Sequence, residues 1–235
     1  MRLGPWRFAC AVLALTVLGV GALRAEPRNL ADGFSGLPKG ALLVVMPPDI
    51  ELLSLSAGGV TEPRADWTEA AQQHVHSALS AKAAVLGLEV RRLAEDEADA
   101  LAEVNTLQAA VARSIAIHHL GGLNHTLPTK EGKLDWSLDE AVLPIHAATG
   151  GDYALFIWMR DSYASAERKV AMVALALLGV GIPGGIQVGY ASLVDLRSGQ
   201  VLWFNQIARR TGDLREAEPA ANVVSALLNN FPTTQ

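Results

Sequence analysis

Cysteine is almost absent from this sequence: Cys10 is the only one in 235 residues. A single thiol excludes an intramolecular disulfide framework and leaves no pair of thiolates for a zinc site. Cys10 also lies at the start of an apolar run, whereas the acylated cysteine of a lipoprotein signal follows such a run. We therefore expect no lipid on this residue and a chain that is held together by its hydrophobic core.

The amino-terminal residues are typical of a secretory signal. Arg2 and Arg7 precede an uncharged apolar run at 8–23, and small residues occur at Ala22 and Ala25. This pattern predicts a signal peptide at 1–25, cut after either alanine, and a single exported domain at 26–235. The alternative is an uncleaved membrane anchor, for which the run is short.

Positive charge is scarce as well. The chain has 19 Lys and Arg against 24 Asp and Glu, a formal net charge of −5. Loss of residues 1–25 removes three arginines and no acidic residue, which takes the net charge to −8. Because nucleic-acid binding needs a basic stripe, we expect no nucleic-acid partner. The same balance offers no electrostatic attraction to anionic lipid.

Signatures of enzyme chemistry are few. No serine lies in the G-x-S-x-G pattern of a nucleophile elbow. His118, His119 and His125 are near enough in sequence to converge on Zn²⁺ if the chain between them folds back, although no zincin spacing accompanies them. We expect no catalytic residue, no metal and no cofactor, and we keep a metal-dependent hydrolase built on these three histidines as the alternative.

Three glycines have the spacing of a dinucleotide-binding loop. Gly179, Gly181 and Gly184 spell G-x-G-x-x-G, with Pro183 inside the motif. That fingerprint should follow a strand and open a helix, whereas here a helical pattern precedes it and a strand pattern follows. The glycines are therefore interpreted as a turn and not as a phosphate-binding loop.

Two continuous apolar runs, at 41–46 and 153–159, are typical of strands buried on both faces. Pro47 and Pro48 close the first run, because proline lacks the amide hydrogen that a central strand donates. Residues 50–66 are then expected to form an exposed loop at an end of the sheet.

Helical patterns alternate with these strands. Apolar spacing predicts helices within 67–87, 96–122 and 218–231, the second with an inward stripe that includes Leu107 and His118. With a short edge strand between the first two helices and a carboxy-terminal hairpin, the order predicts an α/β fold. It comprises a single mixed sheet of about five strands flanked by helices, with an apolar helical insertion at 168–189 before the carboxy-terminal hairpin.

The hairpin carries a resemblance to known families. Its two strands flank the turn R-S-G-Q and have the form apolar-Asp-x-x-Ser-Gly-x-apolar-x-Trp, made by Val194, Asp195, Ser198, Gly199, Val201 and Trp203. This hairpin, together with the strand at 153–159, resembles the α/β envelope domains of the curli-secretion lipoprotein, the penicillin-binding-protein activator lipoproteins and the TolB amino-terminal domain. The segments E-P-R-A-D-W-T-E-A-A and G-V-G-I-P-G-G are similar to uncharacterised exported proteins of proteobacteria.

This resemblance implies a non-enzymatic protein in the periplasm or envelope of a Gram-negative bacterium, working by docking in envelope assembly or secretion. The implied partner is an envelope protein or a second copy of the chain, with peripheral membrane contact as a further possibility. The chain departs from those families in lacking an acylated cysteine and the long alternating segments of a membrane pore.

An uncharged apolar stretch precedes the hairpin, within 168–189. It is too short as a helix for a comfortable membrane span, and a span would divide the strands of one sheet. The alternatives are a buried helix, an oligomer interface and a membrane-touching loop. Together with the segment at 57–67, the residues expected to make contacts are Met172, Leu175, Leu177, Leu178, Val180, Ile182, Pro183, Arg64 and Trp67.

Overall fold

The computed structural model describes residues 29–93, 95–122 and 125–235, so the expected signal peptide and Cys10 lie outside the described residues. The strands are β1 (Leu42–Val45), β2 (Asp49–Leu55), β3 (Thr61–Pro63), β4 (Glu89–Arg92), β5 (Tyr153–Ala164), β6 (Gln187–Asp195) and β7 (Val201–Arg209). The α-helices are α1 (Ala65–Leu86), α2 (Glu95–Ala100), α3 (Ala102–His118), α4 (Leu143–Thr149), α5 (Ala166–Leu177) and α6 (Ala217–Leu227). Short 3-10 turns lie at Pro128–Lys130 and Asp139–Val142.

The 12-residue strand β5 is the centre of a mixed sheet. On one side it pairs antiparallel with β6, which pairs antiparallel with β7. On the other side it pairs in parallel with β1 along its first part and with β2 along the rest. The predicted fold class, a single mixed sheet with flanking helices and a helical insertion before the last hairpin, is confirmed.

The chain steps around two prolines between β1 and β2. Val45 lies opposite Leu155, and Asp49 lies opposite Trp158, so the chain from β1 to β2 has one residue more than the matching part of β5. This extra residue forms a bulge, which accommodates the two prolines and lets the pairing with β5 continue in β2. The loop predicted at 50–66 is therefore wrong in part, because β2 and β3 form within it.

Helices cover both faces of the sheet. On one face α1 and α6 pack over a core that includes Ile157, Met159 and Trp203. On the other face α3 and α4 pack over a core that includes Phe156 and Phe204. The alternation of inward side chains along β5 explains both cores, because successive residues of a strand point to opposite faces. The molecule is a three-layer α/β/α sandwich.

The inward face of α3 differs from the predicted stripe. Gln108 and Ala112 are buried, together with Ile115, whereas Leu107 is exposed and His118 only half-buried. The predicted stripe is correct at Leu101, Val104 and Ile115, which are buried, and wrong at Leu107 and His118, because the small and polar residues Ala112 and Gln108 also lie at the contact with the sheet. The amide of Gln108 donates to the hydroxyl of Ser192 (2.6 Å), and this bond explains a polar residue on the inward face.

The predicted hairpin is confirmed between β6 and β7. The Asp195 carboxylate accepts from the backbone nitrogens of Arg197 (2.9 Å) and Ser198 (2.8 Å), which fixes the turn. Gly199 has a positive φ of 74°, and a Cβ there would lie 2.4 Å from backbone atoms of Asp139. Glycine is therefore required both by the turn and by the close packing of the neighbouring 3-10 turn.

The first described residues cover the edge of β7. Ala31 N donates to Leu202 O and Phe204 N donates to Asn29 O, both at 2.9 Å, so residues 29–31 run antiparallel to β7. Asn29 therefore lies beside the middle of β7, nearer than Ala31 to the sheet end at which β7 finishes, at Arg209. This is also the end from which α5 emerges, because Arg209 pairs with Gln187 and Gln187 with Asp161 near the end of β5.

A close backbone approach fixes the return from α5 to β6. Ser162 N donates to Ile186 O (3.1 Å), and Ile186 N donates to the Ser162 hydroxyl (2.9 Å). Gly185, with φ of 148°, lies so close that a Cβ would be 1.8 Å from the Ser162 carbonyl oxygen. Two segments separated by the whole of α5 are thereby held together at its base.

Replacing this glycine should therefore be costly. We expect Gly185→Ala to lower the free energy of unfolding by about 2–3 kcal/mol, because the chain must move or adopt a strained φ. Gly181→Ala is the matched control, since it lies in the same segment with open space around it. Urea unfolding followed by circular dichroism measures both variants. Equal stability of the two would contradict the close approach.

Candidate functional site

Helix α5 leaves the sheet at the end of β5. Ser165 N donates to Leu55 O (2.9 Å), and the Ser165 hydroxyl accepts from Arg168 N (3.2 Å) as the amino-terminal cap. Serine is favoured at this position because its oxygen satisfies one of the free amides of the first turn. The helix ends at Leu177, and Gly179 turns the chain back with a φ of 79°.

The polarity of α5 is inverted relative to an ordinary surface helix. Arg168 is its only buried residue, at 7% exposure, while Val173 is 65% exposed and Leu177 is 84% exposed. Val170 and Leu178 are also exposed. This contradicts the alternative of a buried core helix, because the apolar face points to solvent and a charged side chain points inward.

The other contact residues of this stretch follow the same division. Val180 and Pro183 are exposed, and Met172, Leu175 and Ile182 are half-buried. In the described part of the chain, no helix combines the length and hydropathy that a bilayer crossing requires.

Arg168 anchors α5 to two other segments. Its Nε and Nη2 donate to the Pro183 carbonyl oxygen (3.0 and 2.9 Å), and its Nη1 donates to the Ser56 carbonyl oxygen (3.0 Å). A buried guanidinium is costly unless its donors are satisfied, so these bonds determine how the helix sits. The helix, the return segment and the loop after β2 are joined at one point.

The two other predicted contact residues lie beside the base of α5. The guanidinium of Arg64 lies 4.3 Å from the ring centroid of Trp67, and the guanidinium of Arg215 lies 4.7 Å from the same centroid. A cavity of about 720 Å³ is lined by Arg64, Trp67 and Lys169, with Lys169 coming from α5. The two predicted contact elements are thus neighbours at one end of the sheet.

A buried polar cluster lies at this same end. Asp161 is 3% exposed, and its Oδ2 accepts from the Tyr163 hydroxyl and from Gln187 Nε2, both at 2.5 Å. Tyr163 in turn accepts from Leu214 N (2.7 Å). Gln187 is 2% exposed, and its Oε1 has no hydrogen-bond partner among the described residues.

Burial is the main influence on the Asp161 carboxyl. It raises the pKa of Asp161 to about 6, against the lowering effect of the bonds from Tyr163 and Gln187; nearby Asp213 raises it slightly further. Burial and the bond to Asp161 likewise raise the pKa of Tyr163 above its ordinary value. Asp161 therefore changes charge within the mildly acidic range, with the phenol neutral throughout.

The neutral form of Asp161 has a suitable acceptor nearby. Protonation adds an O–H donor to the carboxyl, and the amide oxygen of Gln187 is the buried atom beside it that lacks a partner. A carboxylic acid and a primary amide can form a pair of reciprocal hydrogen bonds. Burial thus favours the neutral acid, while the two donors to Oδ2 favour the carboxylate.

A cavity of about 260 Å³ opens onto this cluster. Asp161 and Gln187 form the buried part of its lining, and Lys169 and Arg210 belong to the exposed part. Its walls also include Met172 of α5.

The three histidines of the hydrolase alternative are not assembled as a metal site. His118 Nδ1 contacts the backbone oxygen of His125 at 2.8 Å, and the His118 ring stacks with Trp136 at a centroid distance of 6.5 Å. His119 is buried. Within residues 29–93, 95–122 and 125–235, no group of three or more His, Cys, Asp or Glu could hold a metal ion. Nothing in the geometry supports the hydrolase alternative.

The charge change of Asp161 should appear in the pH dependence of stability. The pKa of this carboxyl is 3.8 in the unfolded chain and about 6 in the folded protein. The folded protein therefore holds the proton more tightly, and the free energy of unfolding falls as pH rises between these two values. The loss is about 3 kcal/mol and persists above pH 6. We expect Asp161→Asn to be more stable than the parent above about pH 6, with the difference closing near pH 4.

Urea unfolding at a series of pH values measures this difference. Asp213→Asn is the opposite-sign control, because the Arg215 guanidinium lowers the pKa of Asp213. That variant should lose stability at neutral pH and match the parent in acid. The prediction is wrong if Asp161→Asn keeps the pH profile of the parent.

Comparison with known proteins adds only distant likenesses. No protein family and no curated protein matches the sequence. Among solved structures, a PelC dodecamer from Paraburkholderia phytofirmans is 14% identical, with 86% of this chain and 96% of that chain covered and a TM-score of 0.40. Lipoprotein GNA1162 from Neisseria meningitidis is 17% identical, and the match covers 81% of this chain and 97% of that chain with a TM-score of 0.32. The LpoB carboxy-terminal domain from Salmonella enterica is 12% identical, and the match covers 77% of this chain and 88% of that chain with a TM-score of 0.29. Likenesses at this level carry no argument about what this chain does.

Proposed function

We propose that this chain is a non-enzymatic protein of the cell envelope that docks onto a membrane surface through the outward face of α5. The observation that carries the proposal is the exposure of that face, made by Val170, Val173, Leu177 and Leu178. The envelope location rests on the signal pattern of the amino-terminal residues.

The exposed face is large enough to drive association. Full burial of a valine or leucine side chain stabilises by about 1.5–3 kcal/mol, and the four side chains lie on one short helix and its end. Exposed apolar patches that are continuous mark sites of protein or membrane contact. The hydrogen bonds of Arg168 hold the helix with this face outward, so an outside partner that covers it would gain the burial of all four side chains.

The composition of the segment favours lipid as that partner. No charged residue occurs between Lys169 and Asp195, so no charged side chain on the outward face or its return segment would have to lose its hydration in a bilayer interface.

Cations flank the apolar face as they do in helices that lie in a bilayer interface. Lys169 and Arg210 are exposed, and Arg209 is half-buried at the end of β7. Long cationic side chains reach the headgroup region while neighbouring apolar groups enter the acyl region. The arrangement supports peripheral contact with one leaflet.

A charge on the outward face should abolish docking. We expect Leu177→Asp to weaken vesicle binding at least about tenfold, because an apolar contact is lost and a carboxylate would have to enter the interface. The assay is co-sedimentation of the protein lacking residues 1–25 with vesicles of phosphatidylcholine and phosphatidylethanolamine. Val85→Asp is the matched control, since Val85 is 82% exposed at the far end of α1, about 30 Å from the Trp67 end.

Sedimentation velocity without lipid tests whether a second copy of the chain, and not a membrane, covers this face. If the parent forms a stable oligomer that Leu177→Asp dissociates, and neither protein binds vesicles, the face belongs to a second copy and the membrane proposal is wrong. Equal vesicle binding by the parent and Leu177→Asp would also overturn it.

A further inference from the structure

The outer row of the sheet, on the side of β1 and β2 away from β5, is interrupted. In this row β4 pairs with β1 at residues 42–45, and β3 pairs with β2 at residues 53–55. Between them, within the described part of the chain, no strand pairs with residues 46–52 on this side. Helix α1 connects the end of β3 with the start of β4, so it passes the gap between them.

Two prolines suit the chain to this gap. Pro47 and Pro48 have no backbone N–H, so they leave no donor unpaired where a neighbouring strand is missing. The Pro47 carbonyl oxygen accepts from Asn105 Nδ2 (3.1 Å), and Leu52 N donates to the Thr68 hydroxyl (2.9 Å). The backbone groups at these positions are thus absent or paired without another strand, and the gap stays open.

A cavity of about 620 Å³ lies between the gap and α1. Its inner wall is apolar, with Met46 and Leu79 buried and Val45 and Val90 half-buried. Small-molecule sites have volumes of roughly 300–1,000 Å³ and combine apolar walls with a few polar groups. Polar, exposed side chains form the rim, namely Gln72, Gln73, His76, Ser77 and Arg92.

Arg92 carries the one permanent charge among the described residues that line this cavity. Its Nη1 donates to His76 Nε2 (2.5 Å), and its Nη2 donates to the Ser80 hydroxyl. It forms no ion pair with a carboxylate of the described residues. A guanidinium has five N–H donors, and this one is exposed, so donors remain within reach of a ligand.

We propose that this cavity binds an aliphatic monocarboxylate from solution, with the carboxylate at Arg92 and the chain against Met46, Leu79 and Val90. A carboxylate matches the planar fork of arginine and accepts two parallel hydrogen bonds from it. One cation balances a monoanion, whereas a phosphate monoester carries about 1.5–2 negative charges at neutral pH. None of the described residues in the lining belongs to α5, so the inference does not depend on the proposed membrane docking.

The inner wall favours a flexible chain over an aromatic ring. An aromatic ligand gains most from rings on which it can stack, and the described lining contains no aromatic side chain. Met46 instead offers an unbranched, adaptable side chain beside branched Leu79 and Val90. An aliphatic chain can follow such an irregular wall and bury its methylene groups there.

Three probes separate the two parts of the proposed ligand. Octanoate has chain and charge, octanamide has the same chain without the charge, and acetate has the charge without the chain. We expect the protein lacking residues 1–25 to bind octanoate at least about tenfold more tightly than either control. Isothermal titration calorimetry measures the affinities, and NMR shifts of the Ser77 and Ser80 amides locate the site.

The role of the guanidinium is tested by Arg92→Gln. This variant should lose the preference for octanoate over octanamide while still binding both through the chain. Arg91→Gln is the matched control, because Arg91 is the adjacent residue of β4, lies outside the lining and pairs with Glu97 (2.6 Å). It should keep the preference. In the parent, decanoate should bind about tenfold more tightly than octanoate, because two further methylene groups are buried.

Three results would overturn the site. These are equal affinities for octanoate and octanamide in the parent, equal affinities for octanoate and acetate, and a preference for octanoate that persists in Arg92→Gln. Octanoate that does not shift the Ser77 and Ser80 amides also overturns it.

Leu177→Asp separates this inference from the proposed function. Octanoate binding that this variant abolishes belongs to the outward face of α5 and overturns the cavity as the site. Octanoate binding that persists in Leu177→Asp, with the amide shifts in α1, supports the cavity even where vesicle binding fails. Vesicle binding by a parent that does not bind octanoate overturns the cavity site alone.

Discussion

The guanidinium of Arg168 determines which face of α5 meets solvent. Its three hydrogen bonds to the carbonyl oxygens of Pro183 and Ser56 satisfy a charge that is almost fully buried. Rotating the helix would break these three hydrogen bonds, so they hold α5 in the orientation that leaves its apolar face outward. The exposed apolar face is therefore a consequence of the buried polar anchor.

The same end of the sheet combines two kinds of surface, one apolar and one polar. The outward face of α5 is apolar and non-directional, so it can supply binding free energy but little selectivity. The cavity beneath it is polar and directional, with Asp161 and Gln187 inside. Both depend on the close approach of Gly185 to Ser162, which holds the two ends of the insertion together. A partner that engages one feature is thereby brought to the other.

Much of the fold could be predicted from the sequence because its strands are continuous apolar runs and its hairpin has a specific turn. The strand β2 was missed because Pro47 and Pro48 were interpreted as the end of the strand segment, whereas a bulge lets the pairing with β5 continue after them. The helical, apolar character of α5 could be predicted, but not which face points outward, because the buried anchor Arg168 bonds to segments distant in sequence. Asp161 was missed although the alternation along β5 places it on the face of Ile157 and Met159. Its partner Gln187 comes from the register of β6, which no local pattern reveals.

The charge of the chain limits how a membrane could be selected. With a formal net charge of −5, the chain has no net attraction to anionic surfaces at long range. The membrane contact that we propose would therefore depend on a short-range term, the burial of the apolar face of α5. Net charge would then oppose or leave unchanged the approach to a bilayer, and the number of apolar side chains buried would decide whether the protein binds.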